Sequence, residues 1–277
     1  MTAALPSSGQ PPRFAIIIPA RHASSRFPGK PLAMLRGANG EAKSLIRRSW
    51  ECAQSIPGHS GIWVATDDNR IADAVREFGG EVVMTSPDCL NGTERCAEAV
   101  AALGDVADII VNLQGDAPLT PGFVIPALVD ALAGDAVAVM TTPAVRCSPT
   151  LYAHLAEDQA QHRVGGTTVV FNRVHRALYF SKRLLPHLPV GADAKALSLV
   201  HLHLGVYAYR PDGLATYAAT APSALELAEG LEQLRFLEGD RPIRVVPFDP
   251  IPWDCIELNN PQDTAAIEAV LKARAID

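Results

Sequence analysis

Short apolar runs alternate with amphipathic stretches through the first half of the chain. Phe14–Ile18 is unbroken, apolar and rich in β-branched side chains, the pattern of a buried strand in a parallel sheet, and Pro19 closes it. Ser44–Ser55 places Leu45, Ile46, Trp50 and Ala53 at helical spacing. Gly61–Thr66 reads as the next strand. Asp67-Asp68-Asn69 supplies a helix N-cap, and Ile71–Phe78 forms an amphipathic helix stopped by Gly79-Gly80. Glu81–Met84 (strand), Thr93–Leu103 (helix), Asp108–Leu113 (strand), Pro121–Ala133 (helix) and Ala136–Thr142 (strand) continue the rhythm. Such alternation predicts an α/β fold with a doubly wound, mostly parallel sheet.

The rhythm changes after Pro143. Gly165–Asn172, Ala177–Ser181 and His203–Tyr209 read as strands with few helices between them, so residues 145–205 form an insertion of antiparallel character. Leu225–Leu237 reads as one helix, with Leu225, Ala228, Leu231, Leu234 and Phe236 as candidates for its buried side. Ile243–Pro247 is a strand and Asp263–Ala273 the closing helix. The division expected is a disordered lead-in over 1–12, a main α/β unit over 13–144 and 206–277, and the insertion at 145–205. The lead-in is small, polar and Pro-rich, without the basic start and apolar core of a signal peptide.

Composition narrows the class. At 277 residues, 48% hydrophobic and 19% charged, the chain matches an ordinary globular protein. A net charge of −6 argues against a nucleic-acid partner, and no uncharged run approaches the roughly 18 residues of a membrane span. Cys52, Cys89, Cys96, Cys147 and Cys255 are scattered without a CxxC pair, which points to reduced thiols and a cytoplasmic setting.

Against this acidic background the loop after the first strand stands out. Arg21, Arg26 and Lys30 share it with Ser24, Ser25 and Gly29. Cations on a loop at the carboxyl end of a parallel strand lie where open α/β sheets bind ligands, and they can converge on a polyanion such as a triphosphate. A solvated basic loop would look the same. With Gly29 its only glycine, the loop is neither a Walker A loop nor GxGxxG, so side-chain cations must do much of any phosphate binding.

Asp116, in Asn112–Pro118 after a strand, is placed as a Mg²⁺ ligand beside Gly115; a plain turn aspartate is the alternative. In Asn91-Gly92-Thr93-Glu94-Arg95, Asn-Gly marks a turn and Thr93 could cap the helix that follows; backbone amides there could hold a carbonyl or ribose, or the segment is a plain loop-to-helix junction. His201 and His203 share one face of a strand, where a hydrogen-bonding His203 is favoured over a metal site. Glu232 and Gln233 interrupt an otherwise apolar helix. No GxSxG, SxxK or Cys–His nucleophile signature is present.

Together PARHASSRFPGKPL, VATDD, NGTER, NLQGDAP, ALYFSK, HLGVYAY and LEQLRFL, in this order and spacing, resemble the 3-deoxy-manno-octulosonate (Kdo) cytidylyltransferase family over about residues 14–270. The resemblance implies a nucleotide-diphospho-sugar transferase-like α/β fold with an inserted dimerisation and sugar-binding region, and hence a homodimer. It also implies Mg²⁺ as cofactor, with CTP and a small anionic acceptor giving a CMP-sugar and pyrophosphate. By motif, Arg21, Arg26 and Lys30 would hold the triphosphate and Asn91, Gly92, Thr93 and Arg95 the cytidine part. Asp116 would bind Mg²⁺, and Gln114, His203, Tyr207, Glu232 and Gln233 would face the sugar.

Three positions depart from the family pattern. Ala117 replaces an acidic residue after Asp116. Lys182 replaces an arginine and loses the bidentate fork that suits a carboxylate. Asn259 replaces the family's second metal-binding aspartate, with Glu257 and Asp254 as possible substitutes. These departures keep open another 2-keto sugar acid or a phosphonate as acceptor, or binding without turnover.

Overall fold

Every residue of β1 (Phe14–Ala20) is buried, as an unbroken apolar run requires when a strand is covered on both faces; Pro19 does not close it, because pairing with the strand at His59–Thr66 continues to Ala20 after pairing with the strand at Ile109–Leu113 has ended at Ile17. The computed structural model describes residues 11–23, 27–189 and 191–277. A 3-10 turn at Lys30–Leu32 leads into a hairpin of β2 (Met34–Arg36) and β3 (Ala42–Ser44). Next comes α1 (Leu45–Gln54), capped by the Ser44 side chain. The alternation continues with β4 (His59–Thr66), α2 (Asn69–Glu77, capped by Asp68), β5 (Glu81–Met84), α3 (Gly92–Leu103, capped by Asn91), β6 (Ile109–Leu113) and α4 (Val124–Ala133). Then follow β7 (Met140–Arg146), α5 (Pro149–Ala160), β8 (Thr167–Phe171), β9 (Ala177–Ser181), α6 (Ala194–Leu197), β10 (His201–His203) and β11 (Val206–Tyr209). The chain closes with α7 (Pro211–Ala219), α8 (Ala224–Glu229), α9 (Leu234–Glu238), β12 (Ile243–Phe248) and α10 (Asp263–Ala273).

Among the described residues, one sheet runs β5-β4-β1-β6-β11-β7-β10-β8-β9, with β12 beside β7. β5, β4, β1 and β6 are mutually parallel, as is β12 to β7. β11 enters antiparallel between β6 and β7, and β10, β8 and β9 extend the sheet antiparallel. The α/β class holds: the sheet is mixed and partly parallel, and the antiparallel strands after Pro143 belong to it. Successive residues of β1 divide between two cores. Ile16 and Ile18 pack with Ile46, Ile71 and Leu128 from α1, α2 and α4, whereas Ile17 packs on the side of Cys96, Leu214 and Phe236 from α3, α7 and α9. Helices therefore cover both faces, and the parallel strands release their loops at one sheet edge.

Four local differences from the sequence pattern have physical causes. β7 starts at Met140, later than the apolar run, because Asp135 accepts hydrogen bonds from Val137 N (3.0 Å) and Ala138 N (2.9 Å) and holds them in a turn. It continues through Pro143, whose missing N–H falls between the pairing with β11, which ends at Thr141, and that with β10, which begins at Ala144. The helix α5 lies inside the insertion at 145–205, in a stretch to which the pattern assigned no element. Its start is marked by Ser148 capping and Pro149, but Leu155 is its only buried residue, so it carries little apolar periodicity.

His203–Tyr209 is two strands, β10 and β11, broken at Leu204-Gly205. Leu225–Leu237 is likewise two helices: Gly230 sits at φ 62°, a left-handed cap whose N–H bonds Glu226 O at 2.7 Å. The buried residue of α8 is Glu226, while Leu225 and Ala228 are exposed.

Asp135 ties the sheet's far half together. Arg176 grips its carboxylate with both terminal nitrogens, and Arg244 of β12 adds a third bond at 3.0 Å. Burial pushes the Asp135 carboxyl up, but the Arg176 and backbone bonds outweigh it and hold the group well below the usual carboxylate range. A depressed folded-state value means its stabilisation is present above the unfolded carboxylate range and is lost as pH falls through the folded value. Asp135→Ala, leaving two arginines around an emptied position, is expected to lower stability by about 3 kcal/mol. Urea unfolding at neutral pH measures this, and a midpoint equal to wild type would show that the clamp contributes nothing.

Candidate active site

The loops after β1, β4, β5 and β6 gather at the carboxyl ends of the parallel strands. Gly115 lets the turn after β6 press against the end of β1: a Cβ there would lie 2.7 Å from Pro19 O. Ser49 Oγ donates to Gly115 O at 3.0 Å and fixes the turn from α1. This close approach sets Asp116 beside the loop after β1, where the Lys30 ammonium donates to Asp116 Oδ2. Both side chains are largely but not wholly buried. Leu258 N donates to Asp116 O at 2.9 Å and brings Glu257 and Asn259 to the same place. Arg21 is exposed just past β1, and Arg26 lies outside the described residues.

The amino end of α3 forms a second wall. The cap is Asn91 and not Thr93, because Asn91 Oδ1 accepts the Glu94 N–H at 2.9 Å and α3 already begins at Gly92. Gly92 abuts Gln114, since a Cβ on it would lie 3.3 Å from Gln114 Nε2. Thr93 is buried, its hydroxyl 2.8 Å from that of Tyr209, and its N–H donates to Glu232 Oε2 at 3.0 Å. Arg95 departs from the expectation of a ligand-facing cation. It is buried and binds Thr85 Oγ1 (2.6 Å) and Asp67 (3.4 Å), because its position on α3 turns it inward onto the ends of β4 and β5.

A third group lines the side toward β10 and β11. His203 is buried against Phe180 and Tyr207, with Nε2 2.8 Å from Thr142 Oγ1. Thr142 gives its own proton to Val206 O, so it accepts from His203 Nε2–H and leaves Nδ1 as the acceptor. Burial pushes the imidazole's pKa down to about 3, so the ring is neutral at working pH. The Tyr207 hydroxyl donates to Gln233 Oε1 at 3.4 Å. Asn112 Nδ2 and Gln233 Nε2, on either side of Tyr207, are buried donors without a partner among the described residues.

Glu232 and Gln233 occupy the break between α8 and α9, not a helix interior, and burial pushes the Glu232 carboxyl upward against its bond from Thr93. The Lys182 ammonium lies over Gly230, where a Cβ would come within 2.8 Å of Nζ. Glu257 points toward Gly205 and Gln114, and Asn259 Nδ2 donates to Glu257 Oε2 at 3.4 Å.

Among the described residues no three His, Cys, Asp or Glu side chains gather into a group that could hold a metal ion by themselves, so a hard divalent cation here would need substrate oxygens as well. Asp116 already faces a cation in Lys30, and Glu257 and Asn259 add a carboxylate and an amide oxygen on the loop tied to Asp116. Such a set suits Mg²⁺ completed by substrate phosphate oxygens.

Sequence reasoning missed three residues behind the α3 turn, Tyr217, Glu226 and Arg235, which bond to one another and to Asn91 and Glu94. A signal for one of them was present: Ser223-x-x-Glu226 is a capping box, fully formed here, which marks the start of α8.

A family model described as Cytidylyltransferase matches residues 15–243. The chain is 44% identical over 257 residues to the 3-deoxy-manno-octulosonate cytidylyltransferase of Maricaulis maris, covering 93% of this chain and 96% of that one. It is 40% identical over 263 residues to the enzyme of the same name from Myxococcus xanthus, covering 95% and 98%. Among solved structures, CMP:2-keto-3-deoxy-manno-octonic acid synthetase complexed with CTP superimposes with a TM-score of 0.80 at 33% identity, over 95% of this chain and 99% of that one. The 4-diphosphocytidyl-2C-methyl-D-erythritol synthase of Anaerococcus prevotii shares the fold alone, with a TM-score of 0.58 at 12% identity, over 94% of this chain and 96% of that one. On this evidence the chain belongs to the 3-deoxy-manno-octulosonate cytidylyltransferase family.

Proposed function

We propose that this protein transfers CMP from CTP to Kdo and releases pyrophosphate. The observation that carries the reading is the meeting of Lys30 and Asp116 at the ends of β1 and β6, with the α3 turn and the His203–Tyr207 group on adjoining walls. An acceptor hydroxyl oxygen would attack the α-phosphorus in line as the bond to the β-phosphate oxygen breaks. Lys30, with Arg21 and Arg26, would neutralise the charge that grows on the departing pyrophosphate. The Asn91–Thr93 turn would take the cytidine part. Gln114, His203, Tyr207, Glu232 and Gln233 would orient the sugar acid, with neutral His203 and Tyr207 serving as hydrogen-bonding groups. Asp116, with Asn259 and Glu257, would hold Mg²⁺, whose charge would draw electron density from the α-phosphate when bound.

Among the three departures, Ala117 is buried in the turn, Lys182 keeps a cation beside Gly230, and Asn259 lies against the Glu257 carboxylate. The identity of 40–44% to the 3-deoxy-manno-octulosonate cytidylyltransferases of Maricaulis maris and Myxococcus xanthus supports Kdo as the acceptor. The reading also includes a homodimer through residues 145–205, supported by exposed Val164, Val174, Leu178 and Leu199, and a cytoplasmic location. No helix of the described residues is long and apolar enough to cross a membrane. Pyrophosphate release from CTP and Mg²⁺, measured with Kdo against other 2-keto sugar acids and a phosphonate, tests the acceptor. Faster release with another acid would overturn Kdo.

Lys30→Ala is expected to lower kcat by about a hundredfold, the scale of one preorganised electrostatic group. Unchanged kcat in the folded variant would remove Lys30 from the site. Asp116→Asn should abolish Mg²⁺-dependent turnover while the unfolding midpoint stays near wild type. Wild-type activity at low Mg²⁺ would assign the metal to Glu257 instead. Asn259→Asp sets a second carboxylate against Glu257, a repulsion that a bound cation relieves. The half-maximal rate should then come at lower Mg²⁺ with acceptor KM unchanged, whereas a raised acceptor KM at unchanged Mg²⁺ dependence would place Asn259 on the acceptor.

A further inference from the structure

Asn91 is held at both ends of its amide. Its Oδ1 caps α3, and its Nδ2 donates to the Tyr217 hydroxyl at 2.9 Å and approaches Glu226 Oε1 at 3.4 Å. The Tyr217 hydroxyl in turn donates to Glu226 Oε1 at 3.0 Å. Glu226 is buried and gripped by Arg235 through two bonds of 2.6 and 2.7 Å. Arg235 is buried as well. It stacks on the Tyr217 ring at 3.9 Å, donates to Thr220 O at 2.9 Å, and reaches Glu94 Oε1 at 2.9 Å. The other oxygen of Glu94 accepts the Leu90 N–H at 2.8 Å. Side chains from α7, α8 and α9 thus converge on one turn, Leu90–Glu94, and grip it from both sides of Asn91.

A buried ion pair is a poor source of stability, since well-packed apolar groups of similar volume often do as well; its use lies in fixing geometry. The chemistry at Asn91 has the same sense. Aspartate and asparagine cap helices equally well, but only the amide can also donate to a phenol seated beside a carboxylate. Tyr217 remains a neutral donor because burial pushes its phenol far above the ordinary range.

We propose that Arg235, Glu226 and Tyr217 form a buried truss that holds the Asn91–Thr93 turn in the shape that receives the cytidine part of CTP, with the Tyr217 hydroxyl as the positioning group that acts through Asn91. The proposal rests on the reading of that turn as the cytidine site. None of the three truss residues needs to touch substrate. They act on ground-state binding of CTP, so their loss raises KM and leaves kcat in place.

Tyr217→Phe removes one hydroxyl and keeps the ring under Arg235. It is expected to raise CTP KM by roughly fivefold, the scale of one neutral hydrogen bond, with kcat, acceptor KM and the melting temperature near wild type. Asn91→Ala should also raise CTP KM. Because Tyr217 acts through Asn91, adding Tyr217→Phe to Asn91→Ala should change CTP KM no further. Additive effects, or a normal CTP KM in Tyr217→Phe beside a raised one in Asn91→Ala, would overturn the truss and leave the cytidine site standing. A normal CTP KM in Asn91→Ala would overturn the cytidine site, and the truss with it. If Tyr217→Phe proves too unstable to assay, Arg235→Lys takes its place: the truss predicts a raised CTP KM with unchanged kcat, and a fall in kcat alone would overturn it.

Discussion

The ammonium of Lys30 and the carboxylate of Asp116 meet because β1 and β6 are parallel neighbours whose chains leave the sheet at the same edge. That adjacency depends on a backbone contact: the turn after β6 approaches the Pro19 carbonyl so closely that Gly115 has no room for a side chain. Once the turn is seated, Asp116 O receives Leu258 N, and a segment from the far end of the chain brings Glu257 and Asn259 alongside. Charges distant in sequence therefore lie within one small volume, at the one edge of a doubly wound sheet where strand ends and loops can surround a ligand.

The opposite wall is made by polar burial. Glu226, Arg235, Thr93, Gln233 and His203 are all buried, and each is tied to at least one other polar group. In a low-dielectric interior such bonds tolerate little misalignment, so a network of this kind fixes the positions of the loops it joins. The aromatic rings of Tyr207, Tyr209, Phe236 and Tyr217 run as a continuous stack beneath it. They supply apolar packing that the polar groups above them cannot.

Much of this was legible in the sequence where a residue's role is local. The apolar run Phe14–Ile18, the Asp68 cap and the Asn91-Gly92 turn each act on their immediate neighbours, and each stands where the pattern put it. What was illegible depends on distant partners. Pro143 looked like a strand end because a proline cannot donate, yet the strand passes through it where the neighbouring strand changes from β11 to β10. Leu225 and Ala228 have helical spacing, but the buried residue is Glu226, whose partner Arg235 lies beyond a glycine break. Arg95 carries a ligand-type charge in a ligand-type motif and nevertheless faces Asp67 and Thr85, a choice set by the register of α3 against β4 and β5.

The place of β11 in the sheet bears on how the chain is made. β6 and β7 do not pair with each other, because residues 206–209 lie between them, and the whole antiparallel excursion of β8, β9 and β10 is synthesised before those residues. During translation the parallel half can assemble through β5, β4, β1 and β6, but its growing edge stays unpaired until β11 arrives. The middle of the sheet thus closes only after that excursion has been synthesised, and β12 joins β7 later still. That order leaves the nascent chain with an open strand edge that only its own later residues can cover.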